Sequence, residues 1–349
     1  MSRVTVPFFI SHQGCPHTCV FCDQRIISGA NGALPAAEQI LGRIDLWRST
    51  SGDRPLEVAF FGGTFTALPA ETQSELLAPL QSLLKAGVLD SVRISTRPDY
   101  IDAGRVAWLS ENGVRTIELG VQSLDDDVLA ASGRGHSAAE SLNAIRCIKS
   151  SGLQTGAQLM PGLPGDSPLS SLASLEQVIS AGIDFVRIYP AVVLKGTELE
   201  RRYSDGGFVP LSLERGTALC KILLQRAMRA NIPVIRIGLQ AGHGFDAGTV
   251  LAGCWHPALG QLVRSELYAD MVCRYVLPGQ CVTVSCHPER LSDVVGMKRR
   301  NMLRQTERGV KIQVAADPAL NRDELKVQTE ETSTIYSIIR DINYSIHEV

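Results

Sequence analysis

Short apolar or β-branched runs alternate along the chain with longer stretches that carry apolar residues at helical spacing. The short runs predict strands at Val4 to Ile10, Leu56 to Phe61, Ser91 to Thr96, Thr116 to Val121, Gln154 to Met160 and Phe185 to Tyr189. The stretches between them predict helices near Ala36 to Trp47, Glu71 to Ala86, Ile101 to Glu111, Ser137 to Ser150 and Leu169 to Ala181. Strands and helices in this alternation predict an α/β fold with a parallel sheet. A doubly wound sheet and a partial barrel both satisfy that order.

Side-chain alternation within the strands distinguishes these two folds. The fourth predicted strand turns Ile117, Leu119 and Val121 to one face and Thr116, Glu118, Gly120 and Gln122 to the other. The third and sixth strands repeat this pattern, with Arg93, Ser95, Arg187 and Tyr189 on their polar faces. A sheet covered by helices on both faces should be apolar on both. We therefore predict an open barrel with a polar interior that holds a ligand. The alternative is that these polar residues pair with one another and serve the fold alone.

Three cysteines, Cys15, Cys19 and Cys22, follow the first predicted strand with the spacing C-x3-C-x2-C. Three thiolates on one loop can bind three irons of a 4Fe-4S cluster and leave the fourth iron open, whereas ferredoxin sites close the cluster with four cysteines. An open iron indicates chemistry rather than simple electron storage. Two alternatives are a Cys3His zinc site that includes His12 or His17, and a trio of buried structural thiols.

The run from Gly14 to Asp23 closely resembles the cluster loop of the radical S-adenosylmethionine (SAM) superfamily. The resemblance implies a partial (β/α)6 TIM-type barrel in which SAM chelates the open iron. It implies that one electron from the 4Fe-4S cluster cleaves SAM to methionine and a 5'-deoxyadenosyl radical. It also implies that Phe21 lies against the adenine, and that a donor such as flavodoxin or ferredoxin supplies the electron.

Further motifs follow later strands, at the carboxyl ends where parallel α/β folds place their sites. The turn Gly62-Gly63-Thr64 resembles the element of the family that offers backbone groups to the amino group of SAM, because glycine permits close approach. The runs at 120–123, 133–136 and 158–165 resemble motifs of the coproporphyrinogen dehydrogenase and Elongator catalytic-subunit branches. By that resemblance, Gln122 and Gln158 contact the ribose or the methionine end of SAM, and Arg134 contacts its carboxylate. Ser95 is also a predicted SAM contact, and it stands where relatives often carry a glutamate.

The resemblance continues beyond the predicted barrel. Residues 188–199 and 234–240 resemble the C-terminal extension of the Elongator catalytic subunit, so the similarity covers roughly residues 4 to 265. The acetyltransferase domain of that subunit has no counterpart in this chain. We predict a radical SAM core over 1–240 and a small α/β C-terminal extension over 241–349, with strands at Val282 to Cys286, Val310 to Val314 and Leu325 to Gln328.

The resemblance predicts a radical SAM enzyme that acts on a polar substrate, and the Elongator branch suggests a tRNA base. The residues predicted to contact the substrate are Lys195, Arg187, Tyr189 and Asp99. One alternative is an oxidoreductase that resembles coproporphyrinogen dehydrogenase. The other is a protein without catalysis that uses a cluster or zinc structurally, as an RNA-binding or sensor module.

Composition adds little to this picture. The 349 residues carry a formal net charge of −2, which gives no global signal for nucleic acid and leaves room for a local basic groove. The basic run from Met297 to Arg304, predicted to lie in a helix, could meet phosphates, although such runs are more often solvated helix faces. The absence of long apolar runs predicts no membrane partner, and nine cysteines without a disulfide-like pattern suit a cytoplasmic location.

Overall fold

The structure, a computed structural model, describes residues 3–29, 33–239 and 248–348. Its main element is a seven-stranded sheet with the order β1-β2-β3-β4-β5-β6-β8, in which every neighbouring pair is parallel. The first eight strands are β1 (Val4–Phe9), β2 (Leu56–Phe61), β3 (Ser91–Thr96), β4 (Val114–Gln122), β5 (Gln154–Leu159), β6 (Phe185–Ile188), β7 (Val192–Leu194) and β8 (Val234–Ile237). Strand β7 lies outside this sheet.

Helices follow most of the strands and cover the outer face of the sheet. The first eleven are α1 (Gln24–Ser28), α2 (Ala37–Ser51), α3 (Ala70–Leu77), α4 (Gln81–Lys85), α5 (Ala103–Glu111), α6 (Asp126–Ala131), α7 (Ala138–Ser150), α8 (Pro168–Ser180), α9 (Glu198–Ser204), α10 (Leu213–Arg229) and α11 (Leu259–Tyr275). The six predicted strands are confirmed, and β8 adds a seventh. This strand has four residues and Ile235 is exposed, so the periodicity of the sequence marks it weakly.

The sheet curls into a partial barrel. Strands β1 and β8 lie at the two ends of the strand order, yet Thr5 on β1 and Arg236 on β8 line the same cavity. On β4, Ile117 and Val121 pack in the hydrophobic core, while Glu118 lines the cavity. The predicted polar inner face and the partial TIM-type barrel are therefore confirmed, and the doubly wound sheet is not the fold.

One predicted helix is interrupted. The stretch expected to run from Glu71 to Ala86 divides into α3, a short 3-10 helix at Ala78–Leu80, and α4. Pro79 lies in this break, and proline has no N–H to donate and its ring clashes with the preceding turn of an α-helix. The prediction of one continuous helix was wrong for that reason.

The remaining chain forms two small sheets. Strand β7 pairs antiparallel with β9 (Val250–Gly253), and a four-stranded sheet has the order β11-β10-β12-β13. Its elements are β10 (Cys281–Cys286), α12 (Leu291–Val295), α13 (Arg300–Glu307), β11 (Lys311–Ala316), β12 (Glu324–Gln328) and β13 (Ser333–Ser337). The predicted α/β character of the C-terminal extension is confirmed.

Hydrogen bonds connect the segment after the C-terminal sheet to helix α10, which lies before the last barrel strand. The side-chain amide of Gln225 on α10 donates to the backbone oxygens of Ile338 and Ile342, at 3.2 and 2.8 Å. One hydrophobic core runs from β1 to Ile342. The expected boundary between residues 240 and 241 lies outside the described residues, as does Gln240 of the predicted extension motif. Across the described ranges, no helix is both long and apolar enough to span a membrane.

Candidate functional site

A cavity of about 620 Å³ lies inside the partial barrel, at the carboxyl ends of its strands. Its volume is in the range of small-molecule sites. All but two of the predicted site residues line it, namely Cys15, Cys19, Cys22, Phe21, Gly62, Gly63, Thr64, Ser95, Gln122, Arg134, Gln158, Arg187 and Tyr189. The structure thus brings together residues that are spread over most of the barrel sequence.

The cysteine loop is held in place by the Gly-Gly-Thr turn after β2. The backbone N–H of Thr64 donates to the carbonyl oxygen of Gln13, at 2.8 Å. Gly14 has φ +70°, and a Cβ atom there would collide with the carbonyl oxygen of Thr64. Because these two loops depend on each other for their shape, the thiols and the turn present one continuous wall to the cavity.

Gln24 is a second link between the same two loops, and sequence reasoning did not identify it. Its side-chain oxygen Oε1 accepts hydrogen bonds from the backbone N–H groups of His12 and Gly63, at 2.6 and 2.5 Å. The contact to Gly63 spans 39 positions of sequence, and no local pattern around a single glutamine signals it. Gln24 also lines the cavity, so it positions both loops from within the site.

The three thiols form a donor set that needs a positive partner. Burial first, and then the neighbouring Cys19 and Cys15, raise the pKa of Cys22 to about 12. Burial also raises the pKa of the Cys15 thiol, although a hydrogen bond with Thr64 opposes this. A thiol bound to a cationic metal centre is deprotonated regardless of such burial, and soft thiolates suit iron-sulfur clusters and zinc.

The three thiols do not have to converge on one point to hold a 4Fe-4S cluster. Within the described ranges, no three His, Cys, Asp or Glu side chains converge to hold one metal ion. A cubane cluster does not require such convergence, because each cysteine binds a different iron. His12 and His17 were the alternative zinc ligands, and both line the cavity. The Nε2 atom of His12 accepts a hydrogen bond from the backbone N–H of Gln24, at 2.9 Å.

Arg134 places a buried cation beside the cysteines. It donates to the Sγ atom of Cys19 at 3.3 Å and to the carbonyl oxygen of Gly120 at 2.6 Å. Its Nε atom is buried and has no hydrogen-bond partner in the part of the chain that the structure describes. A buried N–H without an acceptor is costly, so an anion that reached it would be bound strongly. The carboxylate of SAM fits this requirement.

Other predicted cofactor contacts form the wall next to Arg134. The side-chain amide of Gln158 donates to Oε1 of Gln122, at 3.3 Å. Gln122 has φ +69°, in the left-handed region, at a point where the pairing of β4 with β5 shifts register. Phe21 packs with Met160 in a small apolar cluster, which offers a flat ring a surface to lie on.

The polar face of the barrel is largely paired within itself. Glu118 lies between two arginines, and its Oε1 atom accepts hydrogen bonds from Arg93 at 2.7 Å and Arg187 at 3.0 Å. Arg93 continues the network to Glu57, with a nitrogen to oxygen distance of 2.9 Å, and Arg187 donates to the hydroxyl of Tyr189 at 3.0 Å. Arg187 and Tyr189, which were predicted to contact the substrate, therefore line the cavity as members of a structural network.

Two predicted substrate contacts lie away from the cavity wall. Asp99 lies in the 3-10 helix Pro98–Tyr100, and Arg97 is the residue before that helix. Both carboxylate oxygens of Asp99 accept hydrogen bonds from Arg97, at 2.9 and 2.8 Å. Lys195 is exposed in the turn between β7 and α9. The structure does not bring either residue to the other predicted contacts.

Arg236 is a cavity residue that sequence reasoning missed. It lies on β8 beside Arg187, lines the cavity and is half-buried. Among the described residues it has no carboxylate within ion-pair distance. Its signal in the sequence is a lone arginine between apolar residues in a four-residue strand, which is too short for a periodicity argument.

The Gly-Gly-Thr turn gives a testable prediction. Gly63→Ala should destabilise the fold by more than about 1 kcal/mol, because alanine is strained at φ +64° and its Cβ atom would collide with the carbonyl oxygens of Gln13 and Ile10. Gly52→Ala is the matched control, since Gly52 has φ +59° with no atom within 4 Å of the added Cβ. Urea unfolding of both variants separates the effect of the Cβ collision on the free energy of unfolding from the effect of the backbone angle. Equal losses of unfolding free energy would contradict the close packing of the cysteine loop against the Gly-Gly-Thr turn.

The buried histidine His136 predicts a pH dependence. Burial first, and then the positive charges of Arg134 and Arg97, lower its pKa from 6.5 to about 4. The unfolded chain takes up this proton at higher pH than the folded chain does, so stability should fall as the pH drops from 6.5 towards 4, by about 3 kcal/mol. His136→Gln should flatten that part of the stability profile measured by urea unfolding. An unchanged slope in the variant would refute the assignment.

Comparison with known proteins agrees with this geometry. A family model of the radical SAM superfamily matches residues 9–171, and a model of the radical SAM C-terminal domain matches residues 183–269. An uncharacterized protein of Methanocaldococcus jannaschii is 29% identical over 241 residues, which cover 63% of this chain and 74% of that protein. The tRNA uridine(34) acetyltransferase of Methanocaldococcus infernus is 31% identical over 175 residues, which cover 44% of this chain and 33% of the relative.

A solved structure of the archaeal Elp3 of Methanocaldococcus infernus, with an N-terminal deletion, shares the fold. It superposes with a TM-score of 0.62 at 24% identity and covers 77% of this chain and 63% of that chain. The chain spans between 33% and 50% of the length of the tRNA uridine(34) acetyltransferases that it matches. The radical SAM family implies a 4Fe-4S cluster and SAM as cofactors. The chain belongs to the radical SAM superfamily of enzymes, and its relatives place it in the Elongator-like branch.

Proposed function

We propose that this protein binds a 4Fe-4S cluster through Cys15, Cys19 and Cys22, binds SAM beside it, and acts on a tRNA base. One observation carries the proposal, which is that the three cysteines, the Gly-Gly-Thr turn and Arg134 line a single cavity. When bound, the cluster supplies the electron that cleaves SAM to methionine and a 5'-deoxyadenosyl radical. A one-electron donor such as flavodoxin or ferredoxin completes the proposed system.

The residues around the cysteines would orient SAM. Arg134 would take the carboxylate on its unpaired Nε, and Gly62 and Gly63 leave the backbone bare where the amino group would lie. Gln122 and Gln158 would contact the ribose or the methionine end through their amides, near Ser95. Phe21 would lie against the adenine, because it lines the cavity and belongs to the same apolar cluster as Met160.

The opposite side of the cavity, around β6 and β8, would hold the substrate. Arg236 supports an anionic group there, because it is a half-buried cation without an ion-pair partner among the described residues. The phosphate of a nucleotide has the required charge and accepts several hydrogen bonds. The relatives that act on uridine 34 of tRNA support RNA as the source of that nucleotide.

The experiment is a comparison of modified nucleosides in total tRNA from cells with and without the gene, by liquid chromatography and mass spectrometry. We expect one modified nucleoside to disappear with the gene and to return with the wild-type gene, but not with a Cys19→Ser copy. An unchanged nucleoside profile would reject tRNA as the substrate. The SAM chemistry has its own test, because cleavage of SAM can be measured on the purified protein without any RNA.

A further inference from the structure

The C-terminal sheet contains a βααβ unit made of β10, α12, α13 and β11. Strands β10 and β11 are parallel, and β12 pairs antiparallel with the other edge of β10. Two helices joined by a short turn between such strands form the core of KH modules, in which a GXXG loop clamps the backbone of four nucleotides. The turn between α12 and α13 occupies the position of that loop.

The sequence of this turn is Gly296-Met297-Lys298-Arg299, and its backbone has the conformation that glycine favours at both ends. Gly296 has φ +78°, and an added Cβ atom would lie 2.9 Å from Cγ of Asn301. Lys298 and Arg299 have φ values of +50° and +62°, which side chains of L-residues seldom adopt. Arg299, at the position of the second glycine of a GXXG sequence, therefore has a backbone angle that glycine favours, and it adds a positive charge. The sequence prediction of one helix through Met297 and Lys298 was wrong, because α13 begins at Arg300.

A buried asparagine holds this turn in shape. The side-chain amide of Asn301 donates to the carbonyl oxygens of Asp293 at 3.3 Å, Val294 at 3.1 Å and Ser265 at 3.1 Å. These bonds tie the start of α13 to the end of α12 and to α11. Strained backbone persists where the surrounding structure fixes it, and such strain is concentrated at binding sites. The turn is therefore preorganised.

The turn also concentrates positive charge. Lys298, Arg299 and Arg300 are exposed, and none of them has an ion-pair partner in the described part of the chain. Residues 296–311 contain six basic residues and one acidic residue, although the whole chain has a net charge of −2. Leu303, one turn further along α13, is 58% exposed and offers an apolar surface beside these cations. Single-stranded RNA binds where cations contact its phosphates and a neighbouring apolar surface contacts its bases.

We propose that this unit is a second binding surface of the protein and that its ligand is a single-stranded segment of RNA. The phosphates would lie at Lys298, Arg299 and Arg300, and the bases would face Leu303. The choice of RNA rests on the proposed function, whereas the position of the surface rests on the turn and the exposed side chains around it.

The test is the double variant Lys298→Asn and Arg299→Asn. Asparagine tolerates the left-handed region, so this variant removes two charges and keeps the backbone. Fluorescence anisotropy with a labelled single-stranded RNA of about eight nucleotides, twice the length that one loop clamps, measures binding. We expect binding about tenfold weaker, and a plot of log affinity against log salt that is shallower by about 1.4, for two lost phosphate contacts.

The matched control is Arg48→Gln with Lys85→Gln, which removes two exposed charges from α2 and α4. Neither residue has an ion-pair partner among those described, so the net charge changes equally. The proposal requires unchanged binding in this control. The proposal would be overturned if both double variants lost RNA affinity equally, or if neither lost any. It would also be overturned if the protein bound duplex RNA, or DNA of the same sequence, more tightly than the single-stranded RNA. The asparagine variant should cleave SAM without RNA as the wild type does. If the wild type itself did not cleave SAM, that result would count against the proposed function and not against the RNA-binding surface.

Discussion

Replacing Cys19 by serine is expected to remove the 4Fe-4S cluster and to reduce the cleavage of SAM to the background level. The cluster needs thiolates at its corners, and a hydroxyl is a poor substitute for a soft ligand. Cys19 is the central thiol of the loop, is 7% exposed, and accepts a hydrogen bond from Arg134. The measurements are iron and acid-labile sulfide per chain, and 5'-deoxyadenosine formed from SAM under reducing conditions without oxygen.

Cys281→Ser is the matched control for this prediction. Cys281 is an exposed thiol on β10 and does not line the cavity. The control should keep about four irons per chain and full formation of 5'-deoxyadenosine. If Cys19→Ser retained the iron and the activity of the control, the cysteine loop would not be the site of the cluster.

The second large effect is expected from Glu118→Gln, which should lower the free energy of unfolding by about 3–5 kcal/mol. Glu118 is the shared partner of Arg93 and Arg187 within the barrel, and all three side chains are at most 18% exposed. The neutral amide would leave the buried guanidinium group of Arg187 without its counter-charge, and Arg93 would keep only Glu57. Urea unfolding followed by circular dichroism measures the change.

Glu289→Gln is the control for this variant. Its ion pair with Arg322 is as short, at 3.0 Å, but both side chains are more than half exposed. Such pairs contribute about 1 kcal/mol or less. A loss for Glu118→Gln as small as that of the control would mean that the arginines do not depend on Glu118. Arg187 would then be available to bind a ligand with both its charge and its hydrogen-bond donors.

The sequence predicts the barrel because its alternation is unusually clear. On β4 the apolar residues face the helices and Glu118 and Gln122 face the cavity, and a period of two fixes that assignment. The cysteine spacing is equally local, because three ligands of one cluster lie on one loop. Both predictions need only the order of residues within one element.

What the sequence does not predict are contacts between distant elements. Nothing near Gln24 indicates that its side chain reaches Gly63, and nothing near Glu118 indicates that it accepts a hydrogen bond from Arg187. Such pairs depend on the register of neighbouring strands and on the path of loops. The left-handed backbone at Lys298 and Arg299 is missed for another reason, since lysine and arginine are ordinary helix residues and local propensity continues α13 through them.

The central claim is that the three cysteines hold a cluster that cleaves SAM, and one measurement tests it most directly. The purified protein is reconstituted with iron and sulfide without oxygen, analysed for metals, and incubated with dithionite and SAM. We predict about four irons and four sulfides per chain, together with 5'-deoxyadenosine and methionine. Zinc in place of iron, with no 5'-deoxyadenosine, would contradict the account.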